Sequence, residues 1–478
     1  MKRFLHYALA VLTALSVFSC GKDDPVAEPV NDAPKDMTLS LSSLDVPVEG
    51  GSYSLTVTAP SRPTVSNPSS QWVTVTDGTY SNYKITYGIT VSANAAYEER
   101  TATLTVNSGS LSKTVSLKQA AAEKPVDPDP DPDPDPAAEP DKTLTNAKAS
   151  DNAQKVYEFL LSRQGNHILS GVQAGGTANN NDNVNAVFSK TGKHPALAGY
   201  DYLFLQYSPT PESWSWVVNY GDISAPKEQW EKNGLVSFMW HWNVPTSKAA
   251  WDKGVNDYDF SGYNFYCDKT GFDINRALEN GTWENDFILK DIDKVASYLK
   301  LLQKEGIPVL WRPLHEAAGN YNVYGKNGAW FWWGRGGAEP CKKLWKLLRE
   351  KLEGEHGLDN LIWVWTLDVT EGAEADYAAW YPGNDLVDIV GVDIYANDTE
   401  AKQRQYKAAI ALTGGHKMVT VSECGNIPDP VKCFNAGENW SWFLTWDLEN
   451  FPLNTDNYWR SLMGMECVLT REKMPSLK

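Results

Sequence analysis

The chain has no Cys-x-x-Cys pair anywhere in its 478 residues, which argues against a zinc ribbon or a dithiol redox centre. It carries no G-x-G-x-x-G or Walker loop, so no motif supports nucleotide binding. Its only His-Glu pair, His315-Glu316, is followed by Ala317, Ala318 and Gly319, so the H-E-x-x-H zinc motif is missing too and no metal is expected. Basic charge is in short supply. Lys and Arg number 43 against 60 Asp and Glu, a net charge of −17, which excludes nucleic acid as a partner because phosphate binding needs a basic face. Part of the acid is local: Asp127 to Asp135 alternates Asp with Pro. Past the N-terminus no apolar run is long enough to cross a bilayer.

Cysteine is sparse, and its placement is informative. "MKRF" followed by "LHYALAVLTALSVF" has the charged and apolar parts of a secretion signal, and Ser19-Cys20 follows it. A small residue before cysteine resembles a lipobox, which predicts a lipoprotein signal over residues 1–20 with lipidation of Cys20; a soluble signal is the alternative. "GKDD" after Cys20 resembles the acidic export tag of Bacteroidetes surface lipoproteins, which implies an outer-membrane lipid anchor and a cell-surface location. Cys267, Cys341, Cys424, Cys433 and Cys467 leave an odd remainder, so at least one free, buried thiol is expected. A Cys424–Cys433 disulfide stays open.

Residues 37–121 read as short strands. "YSLTVTA", "WVTVT", "YKITYGITVSA", "RTATLTVNS" and "KTVSLKQA" alternate in period two, punctuated by Gly-Gly, Asp-Gly and Ser-Gly, which predicts a small antiparallel, immunoglobulin-like β-sandwich. "NPSSQWVTV", "RTATLTV" and "VSLKQA" resemble the BACON domain, which implies either carbohydrate binding or a stalk. Trp72 is read as core rather than as a sugar platform. Residues 122–141 follow as an Asp-Pro linker. Alternating proline and like charge hold such a chain extended, so residues 125–140 reach roughly 50 Å at about 3.1 Å each.

From Lys142 to the C-terminus the pattern alternates strand and helix. Strand segments are expected at 167–173, 194–202, 234–242, 307–315, 361–367, 387–395, 417–423 and 441–446, with helical periodicity at 284–306 and 339–357 between them. Eight such units predict an α/β fold, a (β/α)8 TIM barrel over 142–478, with a doubly wound open sheet as the runner-up.

In a barrel the working residues close the strands at the C-terminal face. Strand three is expected to end at His241, and strand four at His315 and Glu316. Strand six carries Asp393 and ends at Tyr395; strand seven ends at Glu423, and strand eight at Trp446 and Asp447. Strands four and seven face each other across a closed ring. Two carboxylates so placed suit glycoside hydrolysis, one protonated to serve the leaving oxygen and one ionised to attack or to activate water.

"WRPLHE", "WFWWG", "YPGNDLVDIVGVDIY", "VSECG" and "WFLTW" together resemble glycoside hydrolase family 26, over essentially the whole of 142–478. The resemblance implies a retaining endo-β-1,4-mannanase acting on mannan or galactomannan, with Glu316 as acid/base and Glu423 as nucleophile. It further implies that His241 and His315 contact the reacting sugar, that Tyr395 and Arg312 support Glu423, and that Trp330 and Trp446 stack on pyranose rings. No cofactor is implied. Alternatives are a β-1,3:1,4-glucanase, a β-1,3-xylanase, an exo-acting mannobiohydrolase, or a non-catalytic glycan-binding lipoprotein. Trp332, Trp333 and Trp363 are read as core. The ten residues "NYNVYGKNGA" between Gly319 and Trp330 lengthen a loop that is short in the family, on the leaving-sugar side of the cleft.

Overall fold

Alternating Thr and Val in the N-terminal segment places one apolar row per strand on one face, and burial follows it: Leu55 and Val57 are buried between more exposed neighbours, as are Leu104 and Val106. The computed structural model describes residues 33–94, 98–121, 139–175, 179–209, 217–256, 258–319, 329–368 and 377–478. The signal with Cys20, the linker up to residue 138 and loop residues 320–328 lie outside them. The chain divides into two units. In the first, one sheet orders Thr38–Leu39, Gly51–Thr58, Lys84–Val91 and Val73–Thr76; the other orders Ser43–Val46, Leu111–Gln119, Arg100–Ser108 and Thr64–Ser66. Their buried residues form one core. Ser43–Val46 pairs parallel with Leu111–Gln119, a correction to the all-antiparallel expectation. Trp72 packs against this core with the Arg100 guanidinium 4.4 Å from its ring centre.

The second unit is built on eight parallel strands: β1 (Ile168–Gln173), β2 (Leu197–Asp201), β3 (Leu235–Met239), β4 (Val309–Arg312), β5 (Leu361–Asp368), β6 (Ile389–Ile394), β7 (Met418–Cys424) and β8 (Trp442–Thr445). Each pairs with the next, and β8 returns to β1 with Trp442 opposite Leu169. That closure excludes the doubly wound sheet. Strands inside such a ring are buried on both faces, which is why they read as continuous apolar runs. Val468–Leu469 adds a short parallel pairing outside β1.

The long helix Trp283–Lys304 shows how the connections form. The Thr282 side chain accepts the Asn285 N–H at 3.1 Å as an N-cap, Glu284 and Asp286 sit in the first turn, and Gly306 follows the end at φ 66°. The helix Ala338–Arg349 passes into a π turn, Glu350–Glu355. All five cysteines of this unit are free, so no Cys424–Cys433 disulfide forms.

The helix Trp283–Lys304 also buries a carboxyl. Asp291 accepts Trp242 Nε1–H at 3.0 Å, and burial pushes it up to about 7 against the pull of Lys294 and of that hydrogen bond. A carboxyl raised above its unfolded value of about 3.9 contributes stability that is full below that value and lost as pH climbs through the folded one. Asp291→Asn is therefore expected to match the parent near pH 4 and to exceed it by a few kcal/mol at pH 8. Thermal unfolding at both pH values checks this; a variant less stable than the parent at pH 8 contradicts it.

Candidate active site

Strand β4 is buried throughout, and just past Arg312 comes Pro313, which has no N–H to give the ladder. The chain then turns through Leu314 and Glu316, both left-handed at φ 51°. Such conformations cost about 1–3 kcal/mol each in non-glycine residues and persist only where the surroundings enforce them. Here Trp333 braces the turn, and Trp332 braces the neighbouring one. Trp333 Nε1–H donates to the His315 carbonyl at 2.9 Å, and Trp332 Nε1–H to the Trp242 carbonyl at 2.7 Å. A Cβ on Gly334 would stand 2.0 Å from the Ala317 carbonyl oxygen, so the aromatic run has to end in glycine for the two turns to meet. Trp332, Trp333 and Trp363 are buried, as the core reading expects, whereas Trp330 is 43% exposed.

Opposite this turn, the register between β6 and β7 shifts after Val392, so that Asp393 faces Glu423 rather than Ser422; a second irregularity follows Val421 on the β8 side. Bulges of this kind re-aim side chains. Arg312, 2% exposed, binds the two acids: Nη1 donates to Asp393 at 2.8 Å and Nη2 to Glu423 at 2.5 Å. The Ser422 hydroxyl donates to the second Asp393 oxygen at 2.7 Å, and a Cβ on Gly391 would lie 2.3 Å from that hydroxyl. The Tyr395 hydroxyl donates to the other Glu423 oxygen. Its ring is about half exposed while its hydroxyl is enclosed, and burial, then the Glu423 charge, push the phenol well above its ordinary value.

One oxygen each from Glu316, Asp393 and Glu423 lies within 4.8 Å of the others. Three carboxylates at that spacing could hold a cation, but the Arg312 guanidinium already pairs with two of them. Burial opposes the Arg312 charge, yet Asp393, Glu423 and Glu316 outweigh it and keep the guanidinium protonated. Burial pushes Asp393 up to about 7; Arg312 pulls it back and Glu423 adds to the rise. Cys424, next to Glu423, is buried and its thiol is raised well above the usual value by burial, so it stays protonated.

A third group joins β2 to the turns after β3 and β4. Asp201 Oδ1 accepts the His241 backbone N–H at 3.0 Å and Oδ2 faces His241 Nδ1 at 2.6 Å. His241 Nε2 meets His315 Nε2 at 3.2 Å. Burial, the neighbouring His241 and Arg312 lower His315 well below the ordinary imidazole value, so its ring is neutral.

These groups surround a cleft of about 820 Å³. His241, His315, Glu316, Trp330, Tyr395, Glu423 and Trp446 all line it. Arg312 does not line it and is bonded instead to the Asp393 and Glu423 carboxylates. Cys20 lies outside the described residues. The strand-end readings for His241, His315 and Glu316 need a small correction: β3 stops at Met239 and β4 at Arg312, so all three stand in the turns beyond. The sequence reading missed Tyr266, which lines the cleft, and Asp201 and Ser422, which hydrogen-bond His241 and Asp393, and it gave Asp393 no partner. Asp201 carried a usable signal, because it is the last residue of its strand. Tyr266 carried none, since it comes from a loop whose short hairpin, Val244–Pro245 with Tyr263–Asn264, sets it beside Trp330.

The family model described as Glycosyl hydrolase family 26 matches residues 145–463, and the BACON model matches residues 62–120. The chain is 35% identical to a mannan endo-1,4-beta-mannosidase A from Piromyces sp over 343 residues, covering 70% of this chain and 51% of that protein. It is 35% identical to a mannan endo-1,4-beta-mannosidase from Thermothelomyces thermophilus over 348 residues, covering 70% of this chain and 64% of that one. The chain thus spans between half and two thirds of the length of these relatives. Among solved structures, it resembles the GH26 domain of an endo-beta-mannanase/endo-beta-glucanase from Prevotella bryantii, with 35% identity, a TM-score of 0.62, and coverage of 70% of this chain and 99% of that one. It also resembles a beta-mannanase from a symbiotic protist of the termite Reticulitermes speratus, with 32% identity, a TM-score of 0.58, and coverage of 71% and 99%.

Proposed function

This chain belongs to glycosyl hydrolase family 26, and from that premise we propose that it is an endo-β-1,4-mannanase working with retention, Glu316 being the acid/base and Glu423 the nucleophile. The observation that carries the reading is the approach of Glu316 and Glu423 oxygens to within 4.8 Å across the cleft. Retaining pairs stand about 5–5.5 Å apart, whereas inverting pairs leave about 6.5–9.5 Å for a water. In the first step Glu316 gives its proton to the glycosidic oxygen as the C1–O bond breaks, and a Glu423 oxygen bonds to C1. In the second, Glu316 takes a proton from water, the water oxygen bonds to C1, and the Glu423 ester breaks. Arg312 and Tyr395 hydrogen-bond the two Glu423 oxygens, which orients the carboxylate for attack and stabilises it again as it leaves. His241 and the neutral His315 offer hydrogen bonds to the reacting sugar, and Trp330 and Trp446 cover its apolar C–H faces and those of its neighbours. That the similar proteins are mannan endo-1,4-beta-mannosidases supports mannan as the polymer.

A time course on linear mannan, galactomannan, mixed-linkage β-glucan and β-1,3-xylan tests this. Mixed mannooligosaccharides are expected from the earliest points. A single short product means exo action; cleavage of glucan or xylan alone overturns the substrate, and silence on every polymer overturns the enzyme.

The reading extends to location: a protein tethered to the outer membrane by lipid on Cys20 and facing outward. The leader followed by "SCGKDD" supports it. Cys20→Ser is expected to move the protein from membrane to soluble fractions and to abolish incorporation of labelled fatty acid. Full membrane retention by that variant contradicts the anchor.

A further inference from the structure

The one carboxylate of this site that does not reach the cleft is Asp201. Its side chain is 2% exposed, and both oxygens are spent on one residue, the backbone N–H and Nδ1 of His241. The His241 ring is walled by Phe265, Phe331 and Trp446, with ring centres 4.9, 5.6 and 5.6 Å away. Its Nε2 is left against His315 Nε2. Two imidazole nitrogens 3.2 Å apart need one proton between them, so the tautomers of the two rings are linked.

We propose that Asp201 is a positioning residue of the hydrolase: by holding the proton on His241 Nδ1 it makes His241 Nε2 an acceptor, which fixes the His315 proton on Nε2 and sets the orientation of both rings that face the sugar. The charge matters as well as the shape. Asparagine at 201 keeps an oxygen for the His241 backbone N–H but turns an NH2 toward Nδ1. His241 must then carry its proton on Nε2, and His315 must surrender the shared position. A carboxylate behind a working imidazole fixes its tautomer in this way in other active sites.

The inference rests on the hydrolase reading, and its test separates the two. In protein labelled with ¹⁵N-histidine, without substrate, His241 is expected to show an Nδ1–H and His315 an Nε2–H. Asp201→Asn is expected to move the His241 proton to Nε2, to leave the melting temperature close to the parent's, and to lower kcat/KM on mannooligosaccharide about 10–100-fold, the scale seen when a metal-bound imidazole loses its outer partner. A bare Nδ1 on His241 in the parent overturns the proposal, and so does a variant with unchanged tautomers or unchanged turnover. Should the variant fail to fold, the parent spectrum alone decides. A parent inactive on every polymer sinks the hydrolase reading, while the tautomer pattern is still measured.

Discussion

Glu423→Gln is expected to lower kcat by a factor on the order of 10⁶, the scale seen when a nucleophile is removed from a cooperating set. The fold should survive, because Arg312 keeps Asp393 as a partner at 2.8 Å. Removing one of two facing acids relieves repulsion, so the melting temperature is expected to hold or rise. Glu316→Gln should cost less, about 10²–10⁴, as loss of general acid–base catalysis does. Leaving-group chemistry separates the roles. An activated aryl mannoside needs no proton from Glu316, so Glu316→Ala should still form the glycosyl-enzyme, and added azide should restore turnover and yield the β-mannosyl azide. Azide acting in place of the missing carboxylate in Glu423→Ala should give the α-mannosyl azide. Ordinary turnover in either variant, or the same azide anomer from both, contradicts the assignment.

Arg312→Met is expected to cost about 3–5 kcal/mol of stability, the usual price of leaving a buried charge unpaired. The guanidinium is 2% exposed and is the cation shared by Asp393 and Glu423. Without it the two acids take up a proton between them, because burial has already pushed Asp393 up to about 7 with Arg312 present. With that proton held in the pair, the acid limb of the kcat/KM profile should move to higher pH. The double variant Arg312→Met/Asp393→Asn should regain much of the stability and little of the activity, which a double-mutant cycle measures. Lysine at 312 should not rescue function, since one ammonium cannot reproduce the two-pronged geometry. Urea unfolding of the four proteins checks the set; Arg312→Met with parental stability contradicts the buried-pair account.

The barrel was legible because a strand buried on both faces is an apolar run, as "LIWVWTL" is, and because β5, β6 and β7 all begin within a residue or two of the expected positions. His315 and Glu316 were legible for the same reason: they follow the run directly. What could not be read was anything set by neighbours in space. The shift that turns Asp393 toward Glu423 depends on β6 lying against β7, and no local pattern records it. Asp201 meets His241 through the pairing of β2 with β3, and Tyr266 reaches the cleft through a hairpin only two residues long on each side. The tryptophans divide likewise. "WFWWG" does not say which ring faces sugar; the hydrogen bonds of Trp332 and Trp333 to carbonyls of neighbouring turns decide that these two are struts.

The most direct test of the paired-carboxylate account is the configuration of the first product. Proton NMR during early hydrolysis of mannopentaose should show the new reducing end appearing as the β-anomer, with the α-anomer growing in only by mutarotation. The α-anomer appearing first would mean inversion, and would contradict a nucleophilic Glu423 working with Glu316.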